Sequence, residues 1–153
     1  MTVTNTLLHS PADVIRGCLI DLGLGSDPTL DPQAAWPVYV SSEPTTPDNC
    51  LTVYDTQGVE DGSSQLDGEL WTHHGFQVRV RSTDHVTGWA RANAIRQALA
   101  QQVLDNAVAV GTSHYVIHAA AGIGSVLVLG KDTPTSKRSL FTLNATAVLR
   151  QVA

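Results

Sequence analysis

The run Gly75-Phe76-Gln77-Val78-Arg79-Val80-Arg81, then Ser82-Thr83-Asp84, then the stretch from His85 to Gln102 decides the fold. Phe76, Val78 and Val80 alternate with Gln77, Arg79 and Arg81, so a strand here carries an apolar face and a charged one. Asp84 or Thr83 supplies a helix N-cap. Beyond it Ala90, Ala94, Ile95, Ala98, Leu99 and Val103 recur at helical spacing, while Arg91, Arg96, Gln97, Gln101 and Gln102 fall mostly elsewhere. A strand with one apolar face followed by an amphipathic helix is expected to fold back on itself, the helix covering the sheet. The helix stripe is rich in alanine, which permits close approach but buries less area than leucine, so a thin two-layer domain is expected.

Working outward, the N-terminal side supplies a second helix. Ser10-Pro11-Ala12-Asp13 combines a cap, a proline at the first helical position and an acid in the first turn. Val14, Ile15, Cys18, Leu19 and Leu22 form the apolar stripe, and Gly23 or Gly25 ends it. Ser26 to Pro32 reads as a turn-rich connector. Trp36 to Ser42 reads as a strand near an edge, because Pro37 cannot donate to a ladder. Glu43 to Asn49 breaks the chain, and Cys50 to Asp55 is a second strand. Thr56 to Gly68 holds Gly58, Gly62 and Gly68 with Glu60, Asp61 and Asp67, and reads as a loop that is either functional or mobile.

On the C-terminal side Asp105 to Thr112 reads as a return. His114–Ala119 and Ile123–Leu129 read as a hairpin turning at Ala120-Ala121-Gly122. Lys131 to Arg138 is a polar loop, and Ser139 to Leu149 alternates Phe141, Leu143, Ala145, Ala147 and Leu149 against wetter positions. The expected architecture is α+β, with two helices on one side of a mainly antiparallel sheet, in a single domain spanning residues 1–153.

Composition bounds the function. The 153 residues, 42% hydrophobic and 15% charged, are enough for one core. A net charge of −5 with nine basic residues argues against a surface that grips nucleic acid, since such surfaces cluster lysine and arginine to neutralise phosphates. The opening Met1 to Thr6 lacks the basic and apolar regions of a signal peptide, and no apolar run reaches membrane-spanning length, so a cytoplasm-like compartment is expected. Cys18 and Cys50 are then expected as buried free thiols.

Catalytic patterns are sparse. His114 and His118, on a strand, would share a face but stand roughly 13 Å apart, too far to hold one ion unaided. His73 and His74 would point to opposite faces. Asp55, Glu60, Asp61, Asp67 and Glu69 lie in a stretch that nothing in the sequence holds rigid. Gly122-Ile123-Gly124 and Gly23-Leu24-Gly25 lack the third glycine of a dinucleotide fingerprint, and no phosphate loop is present. Ser113, His114 and Cys50 have no evident activating partners. No catalytic residue, metal or cofactor is expected.

The short N-terminal helix, the run Pro47-Asp48-Asn49-Cys50-Leu51-Thr52-Val53-Tyr54-Asp55-Thr56-Gln57-Gly58, and Gly75 to Arg81 with the alanine-rich helix through Ile95 and Leu99 together resemble the tail terminator proteins of long-tailed bacteriophages, also labelled minor capsid or tail completion proteins. The resemblance covers about Pro11 to Leu149. It implies a virion subunit, assembled in the host cytoplasm, that forms a homo-oligomeric, six-fold ring capping the tail tube. Its partners would be the major tail tube protein and the head-to-tail connector, with genome DNA passing through the ring without tight binding. It implies neither enzyme activity nor a cofactor. The strand Phe76 to Arg81, the turn Asp55 to Gly58 and the loop after it would be assembly features, the loop becoming ordered on docking. Two exposed arginines, Arg79 and Arg81, share a strand face with Gln77 and would meet Asp55, Glu60, Asp61 or Asp67 of a neighbouring subunit, with Trp71 as an interface anchor. The alternatives from other classes are a small cytoplasmic enzyme and an adaptor with an unrecognised site.

Overall fold

The computed structural model describes residues 7–63 and 70–152, with the side chains of residues 60–63, 70, 71 and 123 outside that description. Two helices, α1 (Pro11–Asp21) and α2 (His85–Gln101), pack on a sheet of six strands: β1 (Val38–Val40), β2 (Cys50–Ser63), β3 (Leu70–Ser82), β4 (Leu104–Val110), β5 (Ser113–Lys131) and β6 (Ser139–Val152). The spatial order is β1-β2-β3-β6-β5-β4, with β1 parallel to β2 and every other pair antiparallel. The fold is α+β.

Alternation in β3 works as its sequence dictates. Phe76, Val78 and Val80 are fully buried, and register places Val78 between Val53 and Leu143, and Val80 between Leu51 and Phe141. This apolar face receives both helices. The capping side chains are the expected ones: Ser10 for α1, and Asp84 for α2, whose carboxylate accepts from the Thr87 amide.

Helix α1 reaches both flanks of the sheet, packing on β1, β2 and β3 at one side and on β4 at the other. The sheet must therefore curl around it. A side chain at Gly17 would stand 2.8 Å from Val108 Cγ1, so the close approach of α1 to β4 depends on that residue being small. Polar ties fix the helix from three strands. Arg16 Nε donates to the Val38 carbonyl at 2.8 Å, the Ala12 amide donates to Asp55 Oδ1 at 2.8 Å, and the His9 amide donates to the buried Tyr115 hydroxyl at 2.9 Å.

The structure departs from the sequence expectations in four places. Asp105 to Thr112 is not a plain return: β4 occupies most of it and forms the hairpin with β5, turning at Gly111 with φ 60°. The expected hairpin at Ala120-Ala121-Gly122 does not exist, because β5 runs unbroken from Ser113 to Lys131 alongside β6. The expected turn at Asp55 to Gly58 and the first half of the expected loop are strand, since β2 continues to Ser63 against β3. Gly58 and Gly75 serve there as points of close approach. A Cβ on Gly58 would meet the His73 carbonyl oxygen at 2.4 Å, and one on Gly75 would meet that of Gln57 at 2.5 Å, beside a bulge between Thr56 and Val59. The rest of the expected loop, 64–68, lies outside the described residues.

The fourth difference is the buried stripe of α2, which is Gly88, Ala92, Ile95, Ala98 and Leu99, whereas Ala90 faces solvent. A Cβ at Gly88 would lie 2.5 Å from Phe141 Cε2 and 2.9 Å from Ser82 Cβ. The helix is thus seated on an aromatic ring that a glycine admits. Gly88→Ala, which on an open helix gains roughly 0.5–1 kcal/mol, is predicted here to destabilise by about 1–3 kcal/mol through overpacking. Combining it with Phe141→Leu should recover part of that loss, as read by denaturant unfolding.

Candidate subunit interface

The face of the sheet opposite the helices carries Tyr54 on β2, Gln77, Arg79 and Arg81 on β3, and Thr142 and Asn144 on β6, brought side by side by register. Of these, Gln77, Arg79 and Arg81 are the positions expected to be exposed and interfacial. Arg81 is not exposed: it is 3% accessible and lies under the segment Glu43 to Asn49. Its guanidinium donates to the carbonyls of Pro47 at 2.6 Å, Asp48 at 3.1 Å and Thr45 at 3.4 Å. Arg138 donates to the same Thr45 carbonyl at 2.6 Å and pairs with Asp132 at 2.5 Å and Asp48 at 3.5 Å. Two arginines thus clamp one loop to the back of the sheet. A buried guanidinium needs several acceptors, and backbone carbonyls of a folded-over loop supply them.

Arg79 is only partly covered. It lies 5.3 Å from the Tyr54 ring centre and 3.8 Å from Glu43 Oε2, while Glu43 Oε1 stands 3.9 Å from Arg81. Those separations allow charge neutralisation without a direct hydrogen bond. Gln77 donates to Asn144 at 3.0 Å. Burial pushes the Tyr54 hydroxyl pKa up even beside Arg79, and pushes the Cys50 thiol up to about 11 beside Arg81. Cys18, also raised to about 11 by burial, and Cys50 are both free and buried.

Asp55 faces the helix side and caps α1, so its carboxylate is engaged within the subunit. The side chains of Glu60, Asp61 and Trp71, together with Asp67 and Glu69 entirely, lie outside the described residues. Beside Asp55 sits His74, half-buried, in a shallow cleft with Pro11, Thr56 and Thr72. Burial holds the His74 pKa below its ordinary value of 6.5, partly opposed by the Asp55 charge. His118 Nδ1 meets Asp105 Oδ1 at 2.7 Å at the far end of the sheet. Among the described residues no group of three His, Cys, Asp or Glu is placed to hold a metal ion, and no helix is long and apolar enough to cross a membrane.

Sequence reasoning missed Glu43 and Arg138, because the Glu43 to Asn49 and Lys131 to Arg138 loops show no periodicity to place them. It also missed an open sheet edge. Strand β4 pairs with β5 only as far as Ala119, so β5 from Ala120 to Lys131 has no strand on its outer side among the described residues. Leu127, Val128 and Leu129 on that stretch are 50%, 49% and 50% accessible. At the opposite side β1 pairs only with Leu51 to Val53, so among the described residues the outer side of β2 from Tyr54 to Ser63 likewise has no strand beside it.

A family model described as bacteriophage tail terminator protein matches residues 18–133. Among solved structures, a chain of the virion of a native gene transfer agent particle is similar over 90% of this chain and 91% of that one, at 16% identity and a TM-score of 0.49. No curated protein matches this chain in sequence.

Two predictions follow from the site. Arg81→Ala should destabilise the isolated subunit by about 2–4 kcal/mol, leaving loop carbonyls without donors, whereas Arg79→Ala should cost about 0–1 kcal/mol. Equal losses on thermal unfolding would contradict the assignment. His74 contributes stability through its neutral form: this is fully present above pH 6.5 and is lost as pH falls through the lower folded-state value, because the unfolded chain binds the proton first. A His74→Gln variant should lose stability less steeply than the parent between pH 7 and 5.

Proposed function

This chain belongs to the bacteriophage tail terminator family, and from that premise we propose that it forms a ring of six copies that caps the tail tube, ends tube polymerisation and presents the surface that joins the tail to the head connector. A structural protein of the phage tail is the coarse assignment that membership carries. The ring, its stoichiometry and its partners are the finer reading. In that reading the major tail tube protein docks on one rim and the head completion protein on the other, and genome DNA passes through without being held. Assembly takes place in the host cytoplasm, and no catalysis is involved.

The observation that carries the proposal is the extent of the family match, which runs from the second half of α1 through the end of β5 and so takes in α2 and five of the six strands, all but β6. A physical feature supports it. A sheet open at both flanks, with apolar side chains half-exposed along one of them, is a liability for a solitary protein and an asset for a protomer. The net charge of −5 suits a ring through which DNA slides, since it offers no reservoir of cations for phosphates. Of the residues expected at subunit contacts, Arg79 keeps a partly accessible side chain, and Glu60 and Asp61 belong to β2. Arg81, Gln77 and Asp55 support the subunit from within.

A phage unable to make this protein should produce tails of irregular or excessive length that do not join heads, as seen by electron microscopy of lysates. Normal tails attached to heads would overturn the proposal.

A further inference from the structure

We infer that the open edge of β5 at Ser125 to Leu129 is a docking site for one short extended segment of another tail protein, apolar along its length and carrying a carboxylate at each end. The inference rests on the tail reading above only for where that partner is to be sought, and adds the surface and the kind of segment that meets it. Three observations carry it.

The first is an edge left unprotected. Ser125-Val126-Leu127-Val128-Leu129 contains no charge and no proline, and β4 has ended at its pairing with Ala119, so among the described residues no strand lies outside this run. Natural sheets break uncharged, aliphatic runs on a free edge with lysine or proline. Here the run is bounded instead by Gly124 and Gly130, at φ 76° and 85°, where the register with β6 shifts. Such irregularities stop a ladder from propagating, so the edge takes a segment of roughly five residues and not a continuing sheet. The main-chain groups of the edge are matched by extended backbone, which makes the occupant a strand.

The second is apolar surface on both faces of that edge. Leu127 stands across from Thr142 on the back of the sheet, and Val128 across from Phe141 on the helix side. They are 50% and 49% accessible, and Leu129 is 50% accessible. Trp89 of α2, its ring 6.4 Å from that of Phe141, is 40% accessible on the helix side. An added strand sends alternate side chains to the two faces, so one set meets Leu127 and Leu129 and the other meets Val128 and Trp89. A strand with one polar face would leave one of these sets wet.

The third is charge at the ends of the run. Arg96 Nε reaches the Gly124 carbonyl at 3.4 Å, which sets its exposed guanidinium at one end, and exposed Lys131 stands at the other. Neither is ion-paired among the described residues, α2 and β5 contain no acid, and Asp132 is taken up by Arg138. Two cations at this separation call for a carboxylate at each end of the incoming segment. A second copy offers no such segment among the described residues. Asp48 to Asp55 has acids at both ends, but Leu51 to Val53 within it are paired on both sides, with β1 and with β3. The open part of β2 is polar through Thr56-Gln57-Gly58, and Asp105 at the start of β4 already meets His118.

The test is titration of the purified protein with synthetic peptides, followed by amide exchange. A short run of valine and alanine closed by glutamate at both ends should bind at least about tenfold more tightly than the same run closed by lysine, and should slow exchange at Ser125 to Leu129. A proline at the centre of the run should abolish binding, because it removes a main-chain donor and cannot sit in a ladder. The variant carrying Arg96→Glu and Lys131→Glu, its fold checked by circular dichroism, should prefer the lysine-closed peptide. No binding of the glutamate-closed peptide, equal binding of the two, binding that survives the proline, or protection only elsewhere in the chain would overturn the inference and leave the tail reading standing. Protection of Ser125 to Leu129 that grows with the concentration of the protein alone would also overturn it, giving the edge to a second copy. Normal tails joined to heads in a phage lacking the protein would overturn the tail reading instead, without altering the peptide results.

Discussion

Helix α1 fills the hollow of a curled sheet, and most of the structure depends on keeping it there. Its apolar side chains Val14, Ile15, Cys18 and Leu19 are wholly or almost wholly buried, yet no single strand could cover them. The cover comes from β1, β2 and β3 on one side and from β4 on the other, although β1 and β4 are the two ends of the sheet. Burial of that stripe, at about 1.5–3 kcal/mol for a fully covered aliphatic side chain, is what opposes the tendency of the strands to splay. The polar ties from Val38, Asp55 and Tyr115 contribute less energy than the apolar contact but determine where the helix starts and how it is turned.

The same curl explains why, among the described residues, no helix lies on the back of the sheet. A curled sheet is convex behind, and a long helix laid across a convex surface makes few contacts. The chain covers part of that surface with the loop Glu43 to Asn49 instead, fastened by Arg81 and Arg138. Loops leave backbone carbonyls to satisfy, and guanidinium groups satisfy several at once. The remaining convex surface is polar, with Gln77, Asn144 and the Tyr54–Arg79–Glu43 group, and is the side of the molecule best suited to face water.

Much of this was readable from the residues. Alternation identified β3 and β6 because one face of each is buried and the other is not, and both helix starts announced themselves through Ser10, Pro11 and Asp84. The stretches that misled are those where side chains do not report burial. In β4 only Val108 is buried, so Leu104 to Val110 shows no clean alternation. In β5 Ala120-Ala121-Gly122 looks like a turn, but its small residues line a groove beside α2. Gly58, which looks like loop glycine, lets two strands approach at a bulge. Arg81 alternates like a solvent-facing residue, and its burial comes from loop carbonyls 33 to 36 residues upstream that no local pattern links to it. Of the candidate interface, the arginines of β3 were legible, while the open stretch of β5 was not, since an open edge is a property of topology.

In the function proposed above, this chain is one repeating unit of a closed assembly at the end of a tube. The most direct test is electron microscopy of purified tail tubes incubated with the protein, with averaging of end-on and side views. The account predicts one closed ring of six copies at a single end of each tube, with no copies along the shaft. Copies scattered along the shaft, or bound singly or as dimers at the end, would contradict it.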